Sequence, residues 1–255
     1  MRQLPAIARY TFFEAVRNKV LYSIVFFAVV LMGLAVVLGS ASIGQDERIV
    51  KDVGLFAISF FSDMIAIFLG VTMVYAELER KTVYNLLSKP IQRPTYFIGK
   101  YLGMCLTLSV QVLFMGAVLT ALIYFRGDSL PVSYFYALFL TWLQCLFVAS
   151  VALFFSSFST PYVSGFMTLG LWMIGNLIQE LAGYLPSMKE SLVKPVLSVV
   201  THVVPDLNLL TLTTQVTYGI EVPLAYVFQV SLYILAYLVA FLLAGTFIFQ
   251  RRDFI

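Results

Sequence analysis

Ten residues in one short charged segment are the side chains of this sequence best suited to contact a second protein. They combine acidic, basic and hydroxyl side chains with two leucines and a proline: Glu77, Glu79, Arg80, Lys81, Thr82, Leu86, Leu87, Lys89, Pro90 and Arg93. Proline ends a short helix, and the charges suit a polar groove on a partner. We interpret residues 77–100, termed the charged loop, as a docking element; a basic loop that only fixes membrane topology is the alternative.

Three polar residues are unusual because the sequence around them is apolar. Asp63, Gln111 and Gln144 each lie near the middle of a long apolar stretch. Polar groups are expensive in lipid, so these residues must be hydrogen-bonded, face water or contact another chain. Because these stretches contain no Lys or Arg, Asp63 is left with hydroxyl or amide partners such as Ser59 and Ser62. A structural role and a place on a transport pathway are both consistent with this pattern.

Catalytic chemistry finds little support in this sequence. The one histidine, His202, has no HExxH motif around it, which argues against a metal site or a histidine-based triad. Gly99-Lys100 is similar to the end of a phosphate-binding loop but lacks the upstream glycine and the following Ser or Thr. We predict no enzyme activity, no cofactor and no metal. If ATP drives this protein, another subunit must bind it.

Composition places most of the chain in a membrane. Hydrophobic residues make up 61% of its 255 residues and charged residues 11%, whereas soluble domains contain about 45–50% and about 25%. A soluble domain of this length cannot bury so much apolar surface, so lipid must solvate it. The net charge of +3 is too small to indicate nucleic acid as a partner.

Six apolar stretches are long enough to cross a bilayer core, which takes about 20 residues. Backbone in lipid must satisfy its own hydrogen bonds, and unbroken apolar runs argue against a β-barrel, so each stretch is predicted to be a helix. The predicted spans are residues 20–41, 53–76, 101–125, 132–155, 162–185 and 224–249. The predicted fold class is an all-α membrane protein in which residues 1–255 form one transmembrane domain.

The distribution of basic residues predicts the orientation of the chain. With the N-terminus inside, the cytoplasmic segments hold 11 Lys and Arg and the outer segments hold 5. Cytoplasmic loops carry the excess of basic residues in membrane proteins. Both termini and the charged loop are therefore predicted to be cytoplasmic.

Two further segments lie outside the predicted spans. Residues 1–19 have an apolar face and a basic face at helical spacing, which predicts an amphipathic helix in the inner membrane interface; a charged flank that sets topology is the alternative. Residues 186–223 form a long outer segment, whose semi-apolar stretch 192–204 is too short and too polar to span. We expect short re-entrant or interfacial helices there, or a surface loop with one amphipathic helix.

The charged loop resembles a segment of a known family. It contains Leu-Leu-Ser-Lys-Pro-Ile at residues 86–91, then Arg93 and Gly99-Lys100, after an acidic residue and Thr82. This is similar to the Leu-Leu-Ser-x-Pro-Ile-x-Arg and Gly-Lys pattern of ABC-2 permeases, with Lys81 where the family has glycine. The spans, the amphipathic N-terminal helix and the Phe-x-Arg-Arg-Asp-Phe end extend the resemblance over the whole chain.

The resemblance implies a permease that works as a homodimer or heterodimer, surrounded by lipid, in the cytoplasmic (inner) membrane of a prokaryote. A separate nucleotide-binding ATPase subunit would contact the charged loop and hydrolyse the ATP that drives transport. A non-transporting membrane scaffold or signalling subunit is the rival interpretation from another class.

Overall fold

The computed structural model describes residues 3–41, 46–79, 93–128, 130–184 and 193–251. Within these ranges the chain is helical and contains no strand, which confirms the predicted all-α class. The α-helices are α1 Gln3–Val16, α2 Lys19–Ala41, α3 Asp46–Glu79, α4 Arg93–Arg126, α5 Val132–Ser156, α6 Pro161–Asn176, α7 Ile178–Tyr184, α8 Val193–Val203, α9 Thr213–Thr217 and α10 Leu224–Arg251. A 3-10 helix, Leu207–Leu210, lies between α8 and α9.

Five of the described helices are long and apolar enough to cross a membrane. The regions that meet this criterion, on α2, α3, α4, α5 and α10, are Lys19–Ser40, Asp46–Met73, Arg93–Arg126, Val132–Ser156 and Leu224–Arg251. Helices α3 and α4 have 34 residues each. At 1.5 Å per residue they are about 51 Å long, which exceeds a hydrocarbon core of roughly 30 Å. Their ends therefore extend beyond the lipid.

The sixth predicted span, residues 162–185, is not one continuous helix. Helix α6 ends at Asn176 after 16 residues, which is about 24 Å and too short for a core of roughly 30 Å. The Asn208 side chain donates to the carbonyl oxygen of Asn176 at 2.6 Å, and Leu207 packs against Gly175. Helix α6 therefore ends beside the 3-10 helix, and Leu177 separates it from α7, which begins at Ile178. Six continuous spans are not confirmed.

The predicted outer segment contains short helices, as expected. Helix α8 falls within the semi-apolar stretch 192–204, and Asp206 caps the 3-10 helix by accepting a hydrogen bond from the Asn208 backbone N–H at 3.0 Å. Leu207, Leu210 and Val216 are buried where this segment contacts α3, α5 and α6. Residues 205–217 are therefore part of the packed bundle rather than a loop on its surface.

Helix α5 lies at the centre of the bundle. It contacts α3, α4, α6 and α10, and most of its side chains are buried, whereas only 22% of the most apolar stretch is buried in α2 and in α10. Gly70 of α3 permits a close approach to α5, since a Cβ at this position would lie 2.4 Å from the Ala152 Cβ. Small residues let membrane helices pack closely by van der Waals contact. The core is therefore built around α5, and α2 and α10 present apolar surface to lipid.

Polar contacts define two opposite ends of the bundle. At one end Asp46, the first residue of α3, lies 3.3 Å from Arg126, the last residue of α4. At the other end Arg93 Nη1, at the start of α4, donates to the carbonyl oxygen of Gln250 near the end of α10 at 2.9 Å. Helix α1 packs on this same part of α4. The N-terminal helix, the start of α4 and the end of α10 therefore share one end of the molecule.

Candidate coupling site and intramembrane polar cluster

Most of the predicted docking residues lie within residues 80–92, which the structure does not describe. Glu77 and Glu79 lie in the last turn of α3, with side chains outside the described set, and Arg93 is the first residue of α4. The other members lie outside the described residues: Arg80, Lys81, Thr82, Leu86, Leu87, Lys89 and Pro90. The structure therefore describes the two helices that flank this part of the charged loop: α3, which ends at Glu79, and α4, which begins at Arg93.

The first turns of α4 are fixed to the last helix. In addition to the hydrogen bond from Arg93 to Gln250, the rings of Tyr96 and Phe97 lie 6.0 and 5.6 Å from the ring of Phe249, centroid to centroid. Aromatic pairs at these distances add to the stabilisation from burial. A displacement of the start of α4 would therefore also displace the end of α10.

The first turns of α4 also form the surface on which α1 packs. Gly99 and Gly103 face α1, and a Cβ at Gly103 would lie 2.5 Å from the Thr11 Cβ and 2.7 Å from the Ala8 carbonyl oxygen. At Gly99 an added Cβ would lie 2.8 Å from Ile7. Glycines four residues apart let two helices approach along their backbones. Residues 1–19 thus contain the predicted helix, and its apolar face packs on α4; its place in the membrane interface stays a prediction.

Lys100, between these two glycines, is a buried cation. Its side chain is 1% exposed, and its Nζ lies 3.2 Å from Oε2 of Glu14 in α1. The ammonium is also 5.9 Å from the ring centroids of both Tyr10 and Tyr96, within the range of cation–π attraction. From the sequence, Lys100 is one of the basic residues that set topology. The spacing of Gly99 and Gly103 around it was the signal that another helix covers it.

We expect Glu14→Leu to destabilise the protein more than Lys100→Met does. Glu14→Leu removes the Glu14 carboxylate from beside a buried ammonium, and the cost should be below the about 3–5 kcal/mol of fully buried pairs because Glu14 is 26% exposed. Lys100→Met leaves a carboxylate that is 26% exposed and can still reach water. The double variant should recover part of the loss, since it removes both charges of this pair. Thermal unfolding of the four proteins in one detergent measures the cycle, and strictly additive losses would contradict the ion pair.

Asp63 lies at the centre of a polar cluster within the membrane region. It is fully buried in α3, and its Oδ2 accepts hydrogen bonds from Gln144 Nε2 of α5 at 2.7 Å and from Trp172 Nε1 of α6 at 2.8 Å. Its Oδ1 is buried without a hydrogen-bond partner among the described residues. One carboxyl group thus connects three helices.

The three predicted intramembrane residues do not form a single hydrogen-bonded site. Gln144 contacts Asp63, but Gln111 donates to Ser62 Oγ at 3.3 Å instead. Trp172, which the polar pattern of the sequence does not single out, completes the Asp63 cluster. A tryptophan in an apolar stretch carries an N–H that needs an acceptor, and that requirement was the available signal.

Two replacements of Asp63 distinguish the contribution of its hydrogen bonds to stability from the contribution of its charge. Asp63→Asn keeps an oxygen that can accept from Gln144 and Trp172, whereas Asp63→Leu leaves both donors without an acceptor at a cost of about 1–3 kcal/mol each. We expect the leucine variant to unfold at a temperature at least about 4 °C lower than the asparagine variant. Fluorescence-detected thermal unfolding in detergent makes the comparison. Equal unfolding temperatures would mean that the two hydrogen bonds contribute nothing measurable.

The fold defines the class of protein: an integral membrane protein built as a bundle of apolar helices. Over residues 6–254 the chain matches the family model described as ABC-2 family transporter protein. The chain belongs to this family of transport proteins, which confirms the resemblance carried by the charged loop. Comparison with curated proteins gave no match.

Proposed function

We propose that this chain is the permease subunit of an ATP-driven ABC transporter in the cytoplasmic (inner) membrane of a prokaryote. Membership of the ABC-2 family supports a role in transport, and ABC-2 permeases normally work with ATPase subunits and as dimers. In this proposal a separate nucleotide-binding ATPase hydrolyses the ATP. A second permease copy or a homologue completes the dimer.

The anchoring of the first turns of α4 is the observation that carries this proposal. Within about three helical turns, Arg93 contacts α10, Lys100 pairs with Glu14 of α1, and Gly103 packs against α1. Helix α4 then continues to Arg126 at the opposite end of the bundle. A force applied to the charged loop would act on α1, α4 and α10 together.

The proposed mechanism uses the charged loop as a lever. ATP binding closes the pair of ATPase subunits, and the loop docked on them moves with them. Such a change can drive transport only if the ATPase binds one conformation of the permease more tightly than the other. Because α4 has no break over its 34 residues, it can carry the displacement across the membrane.

Purification from native membranes tests the proposed partnership. We expect a nucleotide-binding ATPase to co-purify with the tagged permease, and the complex to hydrolyse ATP at a rate that the permease alone does not show. Mass spectrometry of the bound proteins and a phosphate-release assay provide the two measurements. Co-purification with other membrane proteins, in the absence of any ATPase, would favour the scaffold interpretation instead.

The proposed topology predicts which positions an impermeant thiol reagent can reach in intact cells. In a background without Cys105 and Cys145, single cysteines at Asp46 and Lys189 should be labelled, because both positions would lie outside. A cysteine at Lys89 should react only after the cells are opened. Asp46 is the most informative position, since its ion pair with Arg126 fixes one end of the bundle. Labelling of a cysteine at Lys89 in intact cells would show that the charged loop faces outward, opposite to the proposed orientation.

A further inference from the structure

The Asp63 carboxyl group lies far from the described cations of its own helix. It is fully buried near the middle of α3, and the nearest basic residue along that helix is Lys51, 12 residues earlier. Twelve residues of helix measure about 18 Å, and Lys51 pairs with Glu47. Lys100 and Arg126, toward the two ends of α4, pair with acidic residues of α1 and α3. A charge on Asp63 would therefore have no opposite charge beside it among the described residues.

The groups that face Asp63 from α5 and α6 are neutral in the part of the chain that the structure describes. They are the side chains of Gln144 and Trp172, which donate hydrogen bonds, and the thiol of Cys145, which interacts with Asp63 electrostatically. The thiol carries its own proton, since Sγ donates to the Trp142 carbonyl oxygen at 3.0 Å. These two helices therefore supply hydrogen-bond donors to Asp63 and no charge.

The other elements packed on α3 bring no charge to this depth either. On α4, Gln111 donates to Ser62, and the titratable residue nearest to Gln111 along that helix is Cys105, six positions earlier. Helix α9 and residues 23–41 of α2 contain no titratable side chain. Helix α1 packs on the first turns of α4, at one end of the bundle, and its described titratable residues are Arg9, Tyr10 and Glu14.

The geometry around the Asp63 carboxyl group suits a neutral acid rather than an ion. An isolated charge inside a membrane protein costs far more than a neutral polar group, and a buried carboxyl group avoids that cost by holding a proton. Its Oδ2 accepts two hydrogen bonds, but its Oδ1 is buried without a partner among the described residues. Two neutral donors on one oxygen offset only part of the cost of a buried charge.

We propose that Asp63 binds a proton that is occluded between α3, α5 and α6. The residue has no exposed surface in this arrangement, so the proton leaves only when the three helices separate and water enters. The carboxyl group then passes its proton to water and becomes a carboxylate, which resists return to the packed arrangement. Protonation thus favours the packed helices, and a rise in pH favours their separation. The site requires neither the ATPase nor the proposed transport function.

Infrared difference spectroscopy of the purified protein at neutral pH tests the proton site directly. Subtracting the spectrum of Asp63→Asn from that of the parent should leave the carbonyl absorption of a protonated carboxyl group. Asp52→Asn removes an exposed carboxyl group of the same helix, so the matched subtraction should leave carboxylate absorption instead. In heavy water the Asp63 band should shift slowly, because exchange requires the helices to separate. Carboxylate absorption from Asp63, or a shift that is complete on mixing, would overturn the occluded proton.

The pH dependence of unfolding gives a second test with a defined sign. The folded protein holds one more proton than the unfolded chain, in which aspartate ionises above about pH 4, so its stability relative to Asp63→Asn falls as pH rises. Between about pH 5 and about pH 8, the folding equilibrium constant of the parent should fall about tenfold per pH unit relative to that of the variant. Thermal unfolding in one detergent follows this difference. A difference that does not change with pH would contradict the proposal.

The Asp63→Glu variant keeps the test decisive if the asparagine variant does not fold. It retains a carboxyl group at this position, so the band of the protonated carboxyl group should be present at a frequency different from that of the parent. A band at the parent frequency in this variant would place the proton on another residue and overturn the assignment to Asp63.

Discussion

Aspartate in place of Leu86 or Leu87 should abolish retention of the ATPase subunit. Apolar anchors near the centre of an interface carry more of the binding free energy than charges at its rim, and these residues are an adjacent apolar pair within the charged loop. Placing a carboxylate in a desolvated groove costs several kcal/mol, and a loss of about 3 kcal/mol weakens binding roughly 100-fold. Pull-down from detergent extract, normalised to the amount of permease, measures the loss.

The matched control for this experiment changes charge rather than the apolar pair. Arg80→Ala combined with Lys81→Ala should weaken ATPase binding modestly and in a salt-dependent way, because salt screens exposed charges. Membrane insertion should be normal in all of these variants. If the leucine variants insert normally and retain the full amount of ATPase, the charged loop is not the dock.

Replacing Gly103 by leucine should separate α1 from α4. Even a single Cβ at this position would lie 2.7 Å from the backbone carbonyl oxygen of Ala8, so α1 must move to accommodate a larger side chain. Overpacking of this kind costs about 1–3 kcal/mol or more. We expect trypsin to cleave after Arg17 at least about tenfold faster, as followed by mass spectrometry of the N-terminal fragments. Coupling of ATP hydrolysis to transport should be lost in the same variant.

Gly170→Leu is the matched control, because it introduces the same side chain at another membrane glycine. A Cβ at Gly170 of α6 would meet nothing within 4 Å. This variant should leave cleavage after Arg17 at the parent rate. A similar increase in the rate of cleavage after Arg17 in both variants would show general loosening of the bundle and would contradict specific packing of α1 on α4.

The apolar pattern of the sequence predicts the fold class because a lipid environment leaves the backbone few choices. Five of the six predicted spans correspond to helices of sufficient length and apolarity, since a helix satisfies its own hydrogen bonds in lipid. The sixth, residues 162–185, is not confirmed as a single span, because α6 and α7 are separated at Leu177. The side chain of Asn208, 32 residues away, donates to the carbonyl oxygen of Asn176 beside this junction, and no local pattern in residues 162–185 encodes that contact.

For the candidate site residues as well, the local sequence identifies the residue but not the distant partner that it contacts. Asp63 stands out in the sequence because a carboxyl group in an apolar stretch must find partners. Those partners are 81 and 109 residues away, at Gln144 and Trp172, and their identity depends on how α3, α5 and α6 pack. The pair of Lys100 and Glu14 likewise joins residues 86 positions apart. Residue type thus marks the candidates, and packing selects their partners.

Photo-cross-linking from Leu87 in living cells is the most direct test of the central claim, that the charged loop docks a separate ATPase. A photoreactive amino acid at this position should form a covalent adduct with a nucleotide-binding ATPase, identified by mass spectrometry. The same amino acid at Ser187, in the proposed outer segment, should give no such adduct. If Leu87 yields adducts with lipid or other membrane proteins alone, or if Ser187 captures the ATPase equally well, the account is contradicted.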